Sequence, residues 1–312
     1  MWQNLAEKGF GNRSSLPPPF NRFATTVAEQ GMVEMTLATK STSCPTTLIS
    51  RLKTKAPLLV QRALYPDRSM AQMAHIVLMS SSGGILQGDR LSVDIAAGAH
   101  TVSRITTQAS TKVYKMFSGF ASQKVRILAG RGSYLEFLPH SIIPFKHARF
   151  FQEVSIQISS SATVLYAETL SAGRIAHGEE FDFDIYFMKF TARSGNGKLL
   201  FADNLKVEPT QKTKQLITNS FGGKTILSTI YIFCPSGDTD SIERSVKPYF
   251  AVDRNQYSVE KGFNSIIVGF SRLPDDRGIV AKMLSNSIDK IRAATETISA
   301  CVKGRVCKLD DT

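Results

Sequence analysis

Cysteine is scarce in this chain: four residues in 312, at positions 44, 234, 301 and 307, with no C-x-x-C pair among them. This scatter argues against a disulfide framework or a cysteine-based zinc site and fits reduced cytosolic thiols. Long apolar runs are missing as well. Nothing approaches the ~18 uncharged residues that a membrane helix requires, and the opening MWQNLAEKGFGNRSS has no basic segment leading into an apolar core, so neither a membrane span nor a secretory signal is expected. Blocks of like charge are also absent. The net charge of +12 comes from single or loosely grouped basic residues such as SRLKTK, PFKHAR and CVKGRVCK, whereas a basic tail is a block of ~5–6 or more. With no helix-turn-helix, zinc-finger or aromatic RNA-binding pattern, the basic balance suits an acidic protein partner. A basic β-protein that binds nucleic acid is the alternative reading. No nucleophile elbow, H-E-x-x-H or dinucleotide glycine fingerprint occurs.

What the chain does contain is period-two alternation. From Met32 onward, short runs such as MVEMTL, AHIVLMS, RLSVDIAA, QKVRILAG, RFFQEVSIQI and TVLYAETL follow one another, separated by Gly-containing turns such as AGRGS and SGNGK. The pattern predicts a mostly β protein: a large antiparallel or rolled β-sheet body, with two helices mainly in the C-terminal third. The helices are expected over DTDSIERSVKPYFA, and over 276–300, where Ile279, Val280, Met283, Leu284, Ile288, Ile291 and Ile298 share one helical stripe. The apolar run NSIIVGFS before the second reads as a strand. Residues 1–30, polar and carrying LPPPF, read as a flexible N-terminal arm, and 31–312 as a single β-rich domain.

Several apparent motifs dissolve under inspection. FGGKT (221–225) lacks the glycine a phosphate loop needs five positions before Gly223, where Thr218 stands, and is expected to be a turn into TILSTIYIF. His140 and His147, seven apart, match no metal-pair spacing. Asp182 and Asp184 alternate with Phe181 and Phe183, which predicts one polar and one aromatic face on a strand. In TTQASTKVYK (106–115) the hydroxyls of Thr106, Thr107, Ser110 and Thr111 have no neighbouring base in the sequence. They are therefore poor nucleophiles and better suited to satisfying backbone groups where a sheet turns. A hydrolase built on this segment would need a base brought to Thr106 or Thr107 in space.

Six pieces in order, APLLVQRALYPD (56–67), SSGGILQGDRLSVDI (81–95), TTQASTKVYK (106–115), LEFLPHSIIPF (135–145), YAETLSAGRIAHGEEFDFD (166–184) and LLFADNLKVEP (199–209), together resemble the UreD (UreH) family of urease accessory proteins. The resemblance implies a non-enzymatic protein with a mostly β fold and two helices. It also implies partners: apo-urease, the helical accessory protein UreF and the GTPase UreG, in a cytoplasmic complex that delivers nickel to a site where a carbamylated lysine bridges two nickel ions. No tightly bound cofactor is implied. Nickel would be handled transiently, along an internal passage, and Glu168, His177, Glu179 and Asp182 offer suitable oxygen and nitrogen donors. Signature or partner-binding roles fall to Asp89, Arg90, Thr107, Gln108, Lys112, Tyr114, Pro139, Pro144 and Arg174. One departure stands out: the family usually has glycine where this chain has Gln87. Arg174 is expected to pair with Glu168 or Glu179 and fix its turn.

Overall fold

The computed structural model describes residues 20, 28–40, 45–250 and 266–309. The expected mostly β body is there, and the way the strands connect decides its shape. Strands β4 (Ala74–Ser80), β5 (Arg90–Ala97), β6 (Val102–Thr107), β8 (Ala121–Ala129), β9 (Tyr134–Phe137), β11 (Arg149–Ile158), β12 (Thr163–Ser171) and β13 (Ile185–Ser194) alternate between two facing sheets. A seven-stranded sheet runs β14-β13-β11-β8-β5-β1-β2, with β1 (Met32–Lys40), β2 (Thr46–Lys55) and β14 (Leu199–Val207). The second sheet, of ten strands, runs β16-β17-β15-β12-β9-β6-β4-β3, with β3 (Leu58–Val60), β15 (Ile226–Phe233), β16 (Ile267–Arg272) and β17 (Gly278–Ser285). The short β7 (Thr111–Val113) and β10 (Ile142–Pro144) pair with each other at its side.

The result is a coil. Short turns at 98–101, 130–133 and 159–162 carry the chain from the seven-stranded sheet to the ten-stranded one. Strands joined this way face each other across the core instead of pairing, and each pairs in parallel with the equivalent strand of the next coil, as Val93 does with Val125 and Val125 with Val154. Among the described residues nine of fifteen strand pairings are parallel, so the antiparallel expectation is corrected to a mixed, solenoid-like body. A strand with one face inward alternates identically in either pairing sense, so period two could not separate them.

Two cores follow from three layers. Between the sheets lie Val93, Ile95, Val125, Ile127, Val154, Ile156, Phe190 and their neighbours. The outer face of the ten-stranded sheet is covered by α2 (Thr239–Val246), through Ile242 and Val246, and by α3 (Ile288–Leu309), through Ile291, Ala294, Ile298 and Val302. A third helix, α1 (Lys214–Ser220), was not expected. The helix predicted over 276–300 is corrected too: Gly278–Ser285 is β17, and the helix begins at Ile288. Because β17 is buried on both faces apart from Lys282, its apolar residues run almost continuously and mimic a helical stripe. The C-terminal third therefore runs β15, α2, the hairpin β16–β17 and α3.

One clasp fixes α3. Glu136 on β9, fully buried, accepts from Arg104 on β6, from the Tyr134 hydroxyl and from Ser299 Oγ on α3, while Arg104 also reaches Glu296 at 2.8 Å. Of the arm expected over 1–30, only Phe20 and 28–30 are described. Phe20 is fully buried against Phe120 and Phe151, with ring centroids 5.0 and 5.5 Å away. The rest of that expectation lies outside the described residues.

Candidate functional site

The tight turns occupy one end of the coil, and the other end carries long connections at 81–89, 108–120, 138–148 and 172–184. In coiled architectures such insertions gather on one face, where binding concentrates. Four of the six pieces that carry the family resemblance contribute to this rim.

The rim is braced by its own side chains. At Gly84 an added Cβ would lie 2.6 Å from the Lys112 carbonyl and 2.7 Å from the Tyr114 ring, so only glycine lets these loops approach. Gly173, at φ +140°, is likewise pressed against the Glu179 carbonyl. Tyr114 packs edge-on against Phe145, on whose other contact Arg174 lies 4.2 Å from the ring centre. Arg174 pairs with Glu179, one of the two partners foreseen. The hydroxyls of 106–115 act as scaffold: Thr106 Oγ1 donates to the Leu138 carbonyl at 2.8 Å, and Thr107 Oγ1 donates to Ala109 O while accepting the His140 N–H. Ser110 meets Ser141 at 3.0 Å. Pro144 ends β10 at this corner and Pro139 precedes it. Asp182 and Asp184 do flank the buried Phe181 and Phe183, but the strand starts only at Ile185, and Phe181 has φ +50°.

Beneath the rim, between the sheets, is a cavity of about 260 Å³ whose lining includes Thr107, Gln108, Lys112, Asp89 and Gln123. Asp89 and Arg90 do not pair head to head. The Asp89 Oδ2 accepts the Leu86 N–H at 2.8 Å, and Arg90 Nη1 donates to the carbonyls of Asp89 and Phe120. The other carboxylate oxygen of Asp89 is buried without a hydrogen-bond partner, and burial pushes its pKa up.

From the cavity a polar line continues inward. Gln123 lies beside Gln152 in the sheet. Gln152 Nε2 donates to Glu168 Oε2 at 2.7 Å, the Tyr166 hydroxyl donates to the same oxygen at 2.9 Å, and the Tyr186 hydroxyl donates to Oε1 at 2.9 Å. Glu168 is buried, and none of the cations among the described residues pairs with it; burial pushes its carboxyl up to about 7 despite three donors. The Gln152 Oε1 beside it has no partner. Tyr231, 6.4 Å from the Tyr166 ring, then donates to Asp203 at 2.9 Å, and Asp203 meets the half-exposed Lys282 at 3.0 Å, at the surface.

The four proposed nickel donors are not brought together. Glu168 is inside, whereas Glu179 is held by Arg174 and Asp182 by Lys214 at 2.7 Å on the rim, with His177 exposed nearby. Among the described residues no group of three or more His, Cys, Asp or Glu converges. The interior therefore offers isolated carboxylate, amide and hydroxyl oxygens, which suit brief contact with a hydrated divalent ion more than storage. Sequence reasoning missed Gln152, Tyr166, Tyr186 and Asp203, each an ordinary member of an alternating strand. The only available signal was a polar residue on an inward phase of the alternation.

Comparison with known proteins agrees with the resemblance. The family model described as UreD urease accessory protein matches residues 30–311. The urease accessory protein UreD of Cenarchaeum symbiosum is 36% identical over 256 residues, covering 82% of this chain and 86% of that protein. UreD 2 of Brucella canis is 35% identical over 254 residues, 81% and 80% of the two chains, and UreD of Photorhabdus laumondii is 33% identical over 248 residues, 79% and 74%. The chain belongs to the UreD family of urease accessory proteins.

Proposed function

We propose that this protein is a non-catalytic scaffold of cytoplasmic urease maturation that binds apo-urease and, with UreF and the GTPase UreG, allows nickel to enter the urease site. In this reading the ion, as cargo, moves along the interior from the cavity at Asp89 past Gln123 and Gln152 to Glu168. The observation that carries the proposal is Glu168: a buried carboxyl set among neutral donors, with no Lys, Arg or His paired to it among the described residues. A buried carboxylate without a counter-cation is normally avoided. A passing cation supplies the missing charge, and the unpartnered oxygens of Asp89 and Gln152 extend the same acceptor line. No helix among the described residues is long and apolar enough to span a bilayer. Nucleic acid is given no part.

The test is urease activity and nickel content in cells carrying the host's urease operon, with this gene intact, deleted or carrying Glu168→Gln, and with UreF co-purification followed in parallel. Deletion should leave apo-urease, and E168Q should lower nickel loading while UreF still co-purifies. Fully loaded urease in the deletion strain would refute the maturation role. Normal loading with E168Q would refute the passage alone.

A further inference from the structure

The connection at 115–120 contains the most exposed large hydrophobic side chain described, Phe117 at 84%, with Leu86 at 52% on the adjoining loop. An isolated exposed apolar residue is unremarkable, but this one is held rigidly. Gln87 Oε1 accepts the N–H groups of both Phe117 and Ser118 at 2.8 Å, and its Nε2 donates to Ser118 Oγ at 3.0 Å. The Met116 N–H reaches the His147 carbonyl at 3.2 Å with its side chain buried, and Arg149 Nη1 donates to the Gly119 carbonyl at 3.3 Å. A loop pinned on both sides of an outward-facing ring is pre-organised for contact, which removes most of the ordering entropy that a flexible loop would lose on binding. Gln87 accounts for its place in the chain: its amide forms the clasp.

Charge tells what kind of surface fits. Three carboxylates of this rim are matched, Glu179 by Arg174, Asp182 by Lys214, and Asp184 by Arg149 and His147, while Glu180 and Asp89 form no ion pair among the described residues. Lys112, Lys115 and Lys146 are exposed and have no carboxylate partner among the described residues, and the Lys115 ammonium sits 4.9 Å from the centre of the Phe117 ring. Lys146 is next to His147, which holds the loop, and Lys112 is in register with Ile143. Leu86 and Phe117, on loops joined by the Gln87 clasp, thus expose apolar surface with Lys115 against the Phe117 ring, and Lys112, one strand position before this loop's β7 end, lines the cavity.

We infer that this patch is the docking site for an acidic protein surface of the maturation assembly, one with an apolar cleft that receives Phe117 and carboxylates that meet Lys112, Lys115 and Lys146. The inference rests on the proposed function and names the face through which it works. A few anchors in well-packed pockets carry most of an interface's energy, while charges around them steer association. Through Lys112 the partner also meets a residue that lines the cavity.

The test uses the full chain co-expressed with the host's UreF and, separately, mixed with its apo-urease, with Kd values and salt dependence measured for four variants. Phe117→Ala should weaken binding of one of these two probes about tenfold or more. Lys115→Glu combined with Lys146→Glu should slow association and remove most of its salt dependence. Gln87→Gly, which loosens the clasp while keeping the ring, should weaken binding less than Phe117→Ala. Leu199→Ala, at a 48% exposed residue on β14, should change nothing. Thermal melting of F117A should match the parent, because the ring is exposed. Parental affinity of F117A and of the lysine double variant for whichever probe the wild type binds overturns the inference while leaving the maturation role standing. A wild-type chain that binds neither probe overturns both. If F117A instead abolishes self-association and leaves both probes bound, the patch is a contact between copies and the inference also fails.

Discussion

Glu168→Gln should abolish a loss of stability that the buried Glu168 carboxyl imposes on the wild type as pH rises. Burial raises its folded-state pKa from 4.5 to about 7, with three neutral donors lowering it only in part. A raised pKa means that the folded protein holds its proton where the unfolded chain has released it. The associated stability is fully present below pH 4.5 and is lost as pH rises through about 7. At about 1.36 kcal/mol per unit, the ionised form costs the wild type about 3 kcal/mol above that window. The glutamine side chain is nearly isosteric, keeps a donor and an acceptor, and does not titrate. Urea unfolding of both chains from pH 5 to 8.5, in chelator so that no divalent ion compensates, isolates this one group because all other titrations cancel in the difference. The variant should gain on the wild type with each step in pH, then run parallel to it above about pH 7.5. A difference that stays constant, or that favours the wild type as pH rises, would show that Glu168 is ionised and matched in the fold, and the counter-ion argument for the interior would collapse with it.

Three further outcomes are expected. Gly84→Ala drives a methyl group into the Lys112 carbonyl and the Tyr114 ring and should destabilise by about 1–3 kcal/mol, read from the urea midpoint. Arg104→Met leaves Glu136 buried with only hydroxyl donors and should cost about 3 kcal/mol; the diagnostic is faster hydrogen exchange in α3, which Arg104 ties to the sheet through Glu296 and Ser299. Phe20→Ala empties an aromatic nest of Phe120, Phe151 and Phe187 and should lower stability by about 3 kcal/mol, whereas an unchanged melting temperature would mean that the ring contributes nothing in solution.

The sequence made the strands legible because nearly every one has an inward and an outward face. It was silent on how they pair: a turn such as 98–101 looks like a hairpin turn but links two opposed sheets. It misplaced 278–285 for a different reason, since β17 is covered on one side by the facing sheet and on the other by helices and so lost its alternation. The rim was recognisable from its glycines, prolines and charged strings. The interior line was only half visible. Glu168 drew notice within a polar string, but its donors Gln152, Tyr166 and Tyr186 come from β11, β12 and β13 and meet only once the coil has closed. Gln87 registered as a departure, and its role as a clasp required knowing that the loop after β7 passes beside it.

The coiled path also bears on how the protein reaches its native state. Parallel sheets ordinarily fold slowly, because their strands are brought together from far apart along the chain. Here Val93 pairs with Val125, and Val125 with Val154, so each new strand finds its neighbour roughly one coil back. In such a body each coil contacts chiefly its neighbours, so a completed coil offers a template on which the next can be laid. The ring around Glu168 closes only when β13 is laid against β11, so the seal of the interior depends on a coil beyond those that form the cavity.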